Sequence, residues 1–265
     1  MKPTEARHIL SLSGGKDSTA LAIYMRDRVP EMEYIFCDTG EELPETYAYL
    51  DKLEAYLHKP VIRLNPDRPF AHYLELYRGV LPDPRTRWCT RMLKIKPFER
   101  YVGNDPVFSY VGIRADENRS GYVSKKENII PVLPFKDDGI TKAGVERILQ
   151  ESGLGYPEYY RWRSRSGCYF CFFQQRQEWA NLADEHPDLF EKAKAFEKLD
   201  EVTGERFTWV ARESLEELAQ PARVAEIRSE AAERSRKSTF QPLRLIDAFA
   251  GEEEDEEGGC LICHL

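Results

Sequence analysis

The sequence predicts an α/β fold, a parallel sheet with helices on both faces, followed by a C-terminal helical region. Three observations carry that reading. Short apolar runs of strand length recur at 8–12, 33–37, 61–64 and 107–113. The segments between the first three, 18–28 and 44–57, have helical periodicity, so strand alternates with helix as parallel strands joined by right-handed crossovers require. From residue 141 on, the pattern is helical, at 141–152, 174–183, 187–202, 214–219 and 221–236.

Each strand of the first third ends in a turn. The run 8–12 leads into Ser13-Gly14-Gly15-Lys16-Asp17-Ser18, and 33–37 ends at Asp38-Thr39-Gly40. A further strand, 107–113, runs into Gly112-Ile113-Arg114, and 129–134 reads as one more. Ligands on parallel sheets bind beyond the carboxyl ends of the strands, where these turns lie. The organisation that follows is an α/β domain at 1–135, a helical region at 136–250, and an acidic tether with a Cys-x2-Cys-His tail at 251–265. Trp179, Phe190, Phe196 and Trp209 recur at helical spacing and are expected as core or dimer contacts, so a homodimer is one expected assembly.

Nucleotide phosphates need backbone N–H donors, a cation and the positive end of a helix. The string Ser13 to Ser18 supplies all three: Gly14 and Gly15 let the backbone come close, Lys16 brings the charge, and Asp17 and Ser18 open a helix. The string is not G-x4-G-K-[ST], the loop that usually serves cleavage between the β and γ phosphates. Lys16, Asp17 and Asp38 are the catalytic candidates.

The loop resembles the SGGxDS signature of the PP-loop ATP pyrophosphatase superfamily. More narrowly, the chain resembles the phosphoadenosine phosphosulfate (PAPS) reductase-like family. That likeness runs through the 36–46 segment around Asp38, through Arg87-Trp88-Cys89-Thr90 with Lys94 and Pro97, and through Gly112-Ile113-Arg114. It implies a Rossmann-like sheet of the adenine nucleotide alpha-hydrolase type. ATP with Mg2+ would lie across the strand ends, held by Ser13, Gly14, Gly15, Lys16, Asp17, Ser18, Asp38, Gly112 and Arg114, and cleaved between its α and β phosphates. Arg114 and Arg119 would face the phosphates or a sulfur donor.

The six cysteines form two C-x2-C pairs, Cys168/Cys171 and Cys260/Cys263, with Cys37 and Cys89 alone. In a chain expected to be cytoplasmic this spacing reads as metal or redox chemistry, not disulfides. No apolar run approaches the ~20 residues of a membrane span, and the N-terminus has no signal-peptide core. By analogy with iron–sulfur sulfonucleotide reductases, Cys89, Cys168 and Cys171 with Cys263, or Cys260 in its place, would hold a [4Fe–4S] cluster. Alternatively the two pairs would hold a structural Zn2+. Cys37 reads as a strand residue facing the core, or as a sulfur-carrying thiol beside Asp38.

A net charge of −8 argues against a general nucleic-acid coat, but basic residues cluster at Arg85, Arg87, Arg91, Lys94 and Lys96 and at Arg161, Arg163 and Arg165. These suit a phosphate-rich acceptor. The leading expectation is an ATP pyrophosphatase that activates a substrate for sulfur transfer. It is similar in character to the components of bacterial DNA phosphorothioation systems, with DNA as acceptor and a cysteine desulfurase as sulfur donor. The tail lacks the Glu-Cys-Gly-x-His string of sulfonucleotide reductases. A PAPS or adenylyl-sulfate reductase and a non-catalytic nucleotide-binding subunit are the alternatives.

Overall fold

The computed structural model describes residues 6–118, 126–165, 167–199, 204 and 206–240, side chains at 199 and 237–240 excepted. The described chain separates into two compact units, one of residues up to 70 with 88–168, the other of 71–87 with the chain from 169 on.

The first unit is built on five parallel strands, β1 (Arg7–Leu12), β2 (Glu33–Cys37), β3 (Val61–Leu64), β4 (Val107–Tyr110) and β5 (Ile129–Val132). Their order is β3-β2-β1-β4-β5, with Leu10 of β1 in register with Tyr34 on one side and Tyr110 on the other. Alternate residues point to opposite faces, and both faces are buried. Leu10, Leu12, Tyr34 and Phe36 join one core with Leu21, Met25, Leu50 and Leu53. Ile9, Ile35 and Cys37 join the other, with Phe98 and Val102 of the helix Lys96–Val102. A sheet covered on both faces has no need of polar alternation, which is why its strands read as continuous apolar runs.

The helix α1 (Lys16–Met25) follows β1, and α2 (Pro44–Leu57) follows β2 with proline in its first turn, where no N–H is missed. Seven of the ten α1 residues are buried, because the helix Lys142–Glu151 covers it from the far side. Val145 and Leu149 of that helix share the core of Leu21 and Met25. The sheet unit therefore extends past residue 135, where the sequence pattern alone drew its edge.

The second unit packs the helices Arg176–Glu185, Pro187–Lys194 and Pro221–Phe240 around aromatic rings. Phe170 stacks on Trp209 at 5.3 Å between centroids and meets Phe196 edge-on at 5.9 Å. Trp179, Phe190 and Trp209 are all buried, as core packing requires. The helix expected over 187–202 stops at Lys194, and Lys198–Leu199 instead pairs antiparallel with Arg206–Phe207. No described helix is long and apolar enough to cross a membrane.

Candidate nucleotide site

The sheet order reverses at β1: β2 and β3 lie to one side, β4 and β5 to the other. A crevice at such a switch point, beyond the carboxyl ends of the strands, is where open parallel sheets take ligands. The two chain segments leaving the sheet there are Ser13 to Lys16 and Val111 to Arg114.

The Ser13–Ser18 turn is closed by its own hydroxyls. The Ser13 N–H donates to Ser18 Oγ at 3.1 Å and the Gly15 N–H to Ser13 Oγ at 3.3 Å. The Ser18 hydroxyl donates to the Gly15 carbonyl at 3.2 Å, and the two serine hydroxyls lie 3.0 Å apart. Gly14 has φ +71°, and a Cβ there would lie 2.5 Å from Thr46 Cγ2, so both its backbone and its surroundings demand glycine. Ser18 and Asp17 are buried, whereas Ser13, Gly15 and Lys16 are half-buried at the mouth. The Lys16 ammonium makes no ion pair with the described residues, which leaves a cation at the mouth of the crevice.

Asp17 and Arg114, both expected at the phosphates, are brought together but turned toward each other. Arg114 Nη1 lies 3.2 Å from Asp17 and 2.8 Å from Glu117, and its Nε lies 3.1 Å from Asp116. Burial alone would lower the guanidinium pKa, yet the Asp17, Glu117 and Asp116 carboxylates outweigh it and raise the value. Buried charge has to be compensated by partners, and here the partners are side chains of the protein. Gly112 serves the same junction: a Cβ there would lie 3.1 Å from the Asp17 carbonyl oxygen, so glycine lets this segment lie against the start of α1. Arg119 lies outside the described residues.

Asp38 ends β2, and its Oδ1 accepts the Gly40 N–H at 2.9 Å and the Tyr47 hydroxyl at 2.7 Å. Next to it, Thr39 donates to the buried Glu42 at 2.9 Å. Burial raises the Glu42 pKa, opposed by Lys94 and by the Thr39 hydrogen bond. A carboxyl raised on folding stabilises the fold below its unfolded pKa and loses that contribution as pH rises through the folded one. Glu42→Gln is therefore expected to gain stability relative to the wild type between pH 4 and pH 7, as read by urea unfolding. A difference that stays flat or falls over that window contradicts the assignment.

Cys37 lies in the core on one face of the sheet, and burial pushes its thiol up to about 12. Its Sγ donates to the Lys94 carbonyl at 3.5 Å. A protonated, enclosed thiol is a poor nucleophile. Native protein treated with iodoacetamide at pH 7.5 is expected to carry no label at Cys37 until denaturant is added; peptide mapping of a natively labelled Cys37 contradicts this.

The segment 156–168, where sequence reading found a basic cluster and the first cysteine of a C-x2-C pair, lies against the loop. The Tyr159 hydroxyl donates to the Gly14 carbonyl at 3.1 Å, and the Tyr160 hydroxyl accepts the Lys16 N–H at 3.4 Å. Arg163 has left the surface cluster: it is 3% exposed and donates to the Cys168 carbonyl at 2.8 Å. Its Nε and Nη1 have no hydrogen-bond partner among the described residues. Gly167 presses on α2, where a Cβ would lie 2.4 Å from Thr46 Oγ1, and its carbonyl accepts the Leu43 N–H. Thr46 thus stands between the phosphate loop and the turn that carries Cys168. Its Cγ2 against Gly14 and its Oγ1 against Gly167 require glycine on both sides.

Cys168 and Cys171 are buried and Cys89 is half-buried. Among the described residues no three of Cys, His, Asp or Glu converge as a metal group. Cys260 and Cys263 lie outside the described residues. The described donor set does not by itself complete a site for an iron–sulfur cluster or zinc.

A parallel sheet in this order, with a glycine–serine loop and a lysine that makes no ion pair among the described residues at its switch point, defines a Rossmann-like α/β protein of the PP-loop class. The chain belongs to the phosphoadenosine phosphosulfate reductase domain family, whose model matches residues 7–172. The crystal structure of phosphoadenylyl-sulfate reductase from Candida auris, a phosphate complex, shares the fold at TM-score 0.50 and 17% identity, covering 63% of this chain and 84% of that one. An uncharacterized protein of Methanocaldococcus jannaschii is 26% identical over 198 residues, 69% of this chain and 40% of its own length. A tRNA-specific 2-thiouridylase, MnmA, of Psychrobacter sp. is 26% identical over 164 residues, 57% of this chain and 38% of its own. The chain thus spans about two fifths of these curated relatives.

Proposed function

We propose that this chain is an ATP pyrophosphatase, cleaving ATP to AMP and pyrophosphate to activate a substrate for sulfur transfer. The observation that carries the reading is the Ser13–Ser18 loop at the switch point, with the Lys16 ammonium at its mouth. In this reading the Gly15 and Lys16 amides and the Lys16 ammonium bind the phosphates, and the ammonium stabilises the negative charge that builds on departing pyrophosphate. Asp38 would hold the Mg2+ that accompanies ATP. Asp17 is a positioning residue, fixed by Arg114, rather than a group that meets the phosphates.

The acceptor in this reading is DNA, modified to a phosphorothioate. Its activated phosphate oxygen leaves with AMP as the outer sulfur of a cysteine desulfurase persulfide bonds to phosphorus, a further thiol taking the persulfide's inner sulfur into a disulfide. Support comes from the likeness to a thiouridylase, whose name joins sulfur transfer to a nucleic acid. The exposed Arg91, Lys96 and Arg161 suit a phosphate backbone. Cys168 and Cys171, with Cys89 and with Cys263 or Cys260, would carry a [4Fe–4S] cluster or Zn2+; iron, sulfide and zinc analysis of protein purified without oxygen tests that.

The family match favours one second reading, a PAPS or adenylyl-sulfate reductase. One assay separates the two. Protein is incubated with ATP and Mg2+, with and without DNA and a persulfide donor, and in parallel with PAPS or adenylyl sulfate and a dithiol. Release of AMP and pyrophosphate supports the pyrophosphatase. Sulfite release that is abolished by Cys263→Ser supports the reductase and overturns the first reading.

A further inference from the structure

We propose that Tyr160 is a phosphate ligand of the nucleotide site, its hydroxyl accepting the Lys16 amide and donating to the bound phosphate when nucleotide enters. The inference rests on the reading of the loop as a nucleotide site and adds to it a residue from a segment that carries no phosphate-loop motif.

The geometry is specific to this tyrosine. The free N–H groups at the start of a helix are the donors that an anion site uses. Of these, the Lys16 N–H is already directed at the Tyr160 oxygen, 3.4 Å away. That oxygen accepts and leaves its own O–H to donate elsewhere. The same oxygen lies 3.4 Å from where a Cβ on Gly15 would stand, so the phenol sits directly against the loop. The ring is held from behind by Tyr159, stacked at 4.9 Å and 26°, and Tyr159 is itself anchored to the Gly14 carbonyl. Tyr160 is half-buried and keeps a face open to a ligand, whereas Tyr159 is fully enclosed. Burial, with the Asp17 carboxylate adding to it, pushes the Tyr160 phenol up to about 12. It therefore keeps its proton at neutral pH and can donate to an anion. The two adjacent tyrosines divide the work: Tyr159 fixes the loop and Tyr160 meets the ligand.

The test compares the wild type with Tyr160→Phe and Tyr159→Phe by calorimetric titration with ATP and with adenosine, which has no phosphate. A hydrogen bond to a charged group is worth ~1.5–3 kcal/mol, so Tyr160→Phe is expected to weaken ATP binding about tenfold or more and to leave adenosine binding unchanged. Tyr159→Phe is expected to lower the melting temperature instead. In the wild type with ring-labelled tyrosine, the Tyr160 resonance is expected to shift on adding ATP and not on adding adenosine, a readout that needs no variant to fold. Unchanged or tighter ATP binding by Tyr160→Phe overturns the inference and leaves the nucleotide reading standing. Parallel loss of ATP and adenosine binding overturns it in favour of a structural role. No ATP binding by the wild type overturns both.

Discussion

Replacing Arg114 by methionine is expected to destabilise the first unit by about 3–5 kcal/mol, the cost of breaking a buried ion pair by removing one partner. The Arg114 side chain is 7% exposed, and the Asp17 and Glu117 side chains it separates are 9% and 5% exposed. Without the guanidinium the buried Asp17 and Glu117 carboxylates lose the cation that lies between them, at the first turn of the helix that carries the phosphate loop. Asp116 is more exposed and contributes less to the penalty. Urea unfolding of Arg114→Met against the wild type measures the effect. A loss below about 1 kcal/mol, the range of a surface pair, contradicts the assignment of Arg114 as a structural counter-ion. Because the carboxylates would be left in place, Asp17→Asn with Arg114→Met is expected to recover part of the loss, as coupled neighbours do.

Lys16→Ala is expected to leave stability nearly unchanged and to lower the rate of pyrophosphate release by about 10²–10³-fold, the scale seen when one preorganised group at a charge-developing site is removed. The side chain is half-buried and has no ion pair with the described residues, so its loss strands no buried charge. The two substitutions therefore separate along different axes. Arg114 acts on the fold, Lys16 on the reaction. A Lys16→Ala protein that unfolds with the wild type and turns over ATP at the wild-type rate removes Lys16 from the site.

The sheet was legible because its strands are buried on both faces and so appear as unbroken apolar runs. Residues 8–12, 33–37 and 61–64 in the sequence become Arg7–Leu12, Glu33–Cys37 and Val61–Leu64 in the structure. The phosphate loop was legible because its requirements are local: a glycine with positive φ, two serines five residues apart, and a helix start. The stretch 65–106 was not. Its helical stretch 88–102 is interrupted by the π-turn of Arg91–Ile95, which breaks the 3.6-residue repeat of its apolar positions.

What sequence reading could not supply was direction. Asp17 and Arg114 are 97 residues apart, and only the adjacency of β1 and β4 brings them into an ion pair. Arg114 in a glycine-bounded turn carries the same sequence signal whether it faces a phosphate or a carboxylate. Tyr159 and Tyr160 went unnoticed as site residues, and Arg163 was read only as part of a basic cluster, for a related reason. They lie in a short 3₁₀ turn, Glu158–Arg161, or two residues beyond it, with no motif spacing. The signal that was available is the density of large aromatic and cationic residues there, Tyr156, Tyr159, Tyr160, Trp162 and Arg163, just before a C-x2-C.

The most direct test of the account is a titration of ¹⁵N-labelled protein with ATP and Mg2+, following the amide resonances of Gly14, Gly15 and Lys16. The account predicts that these three amides move together and saturate, and that Lys16→Ala weakens the titration. ATP binding that leaves all three amides in place, or no binding at millimolar ATP, contradicts it.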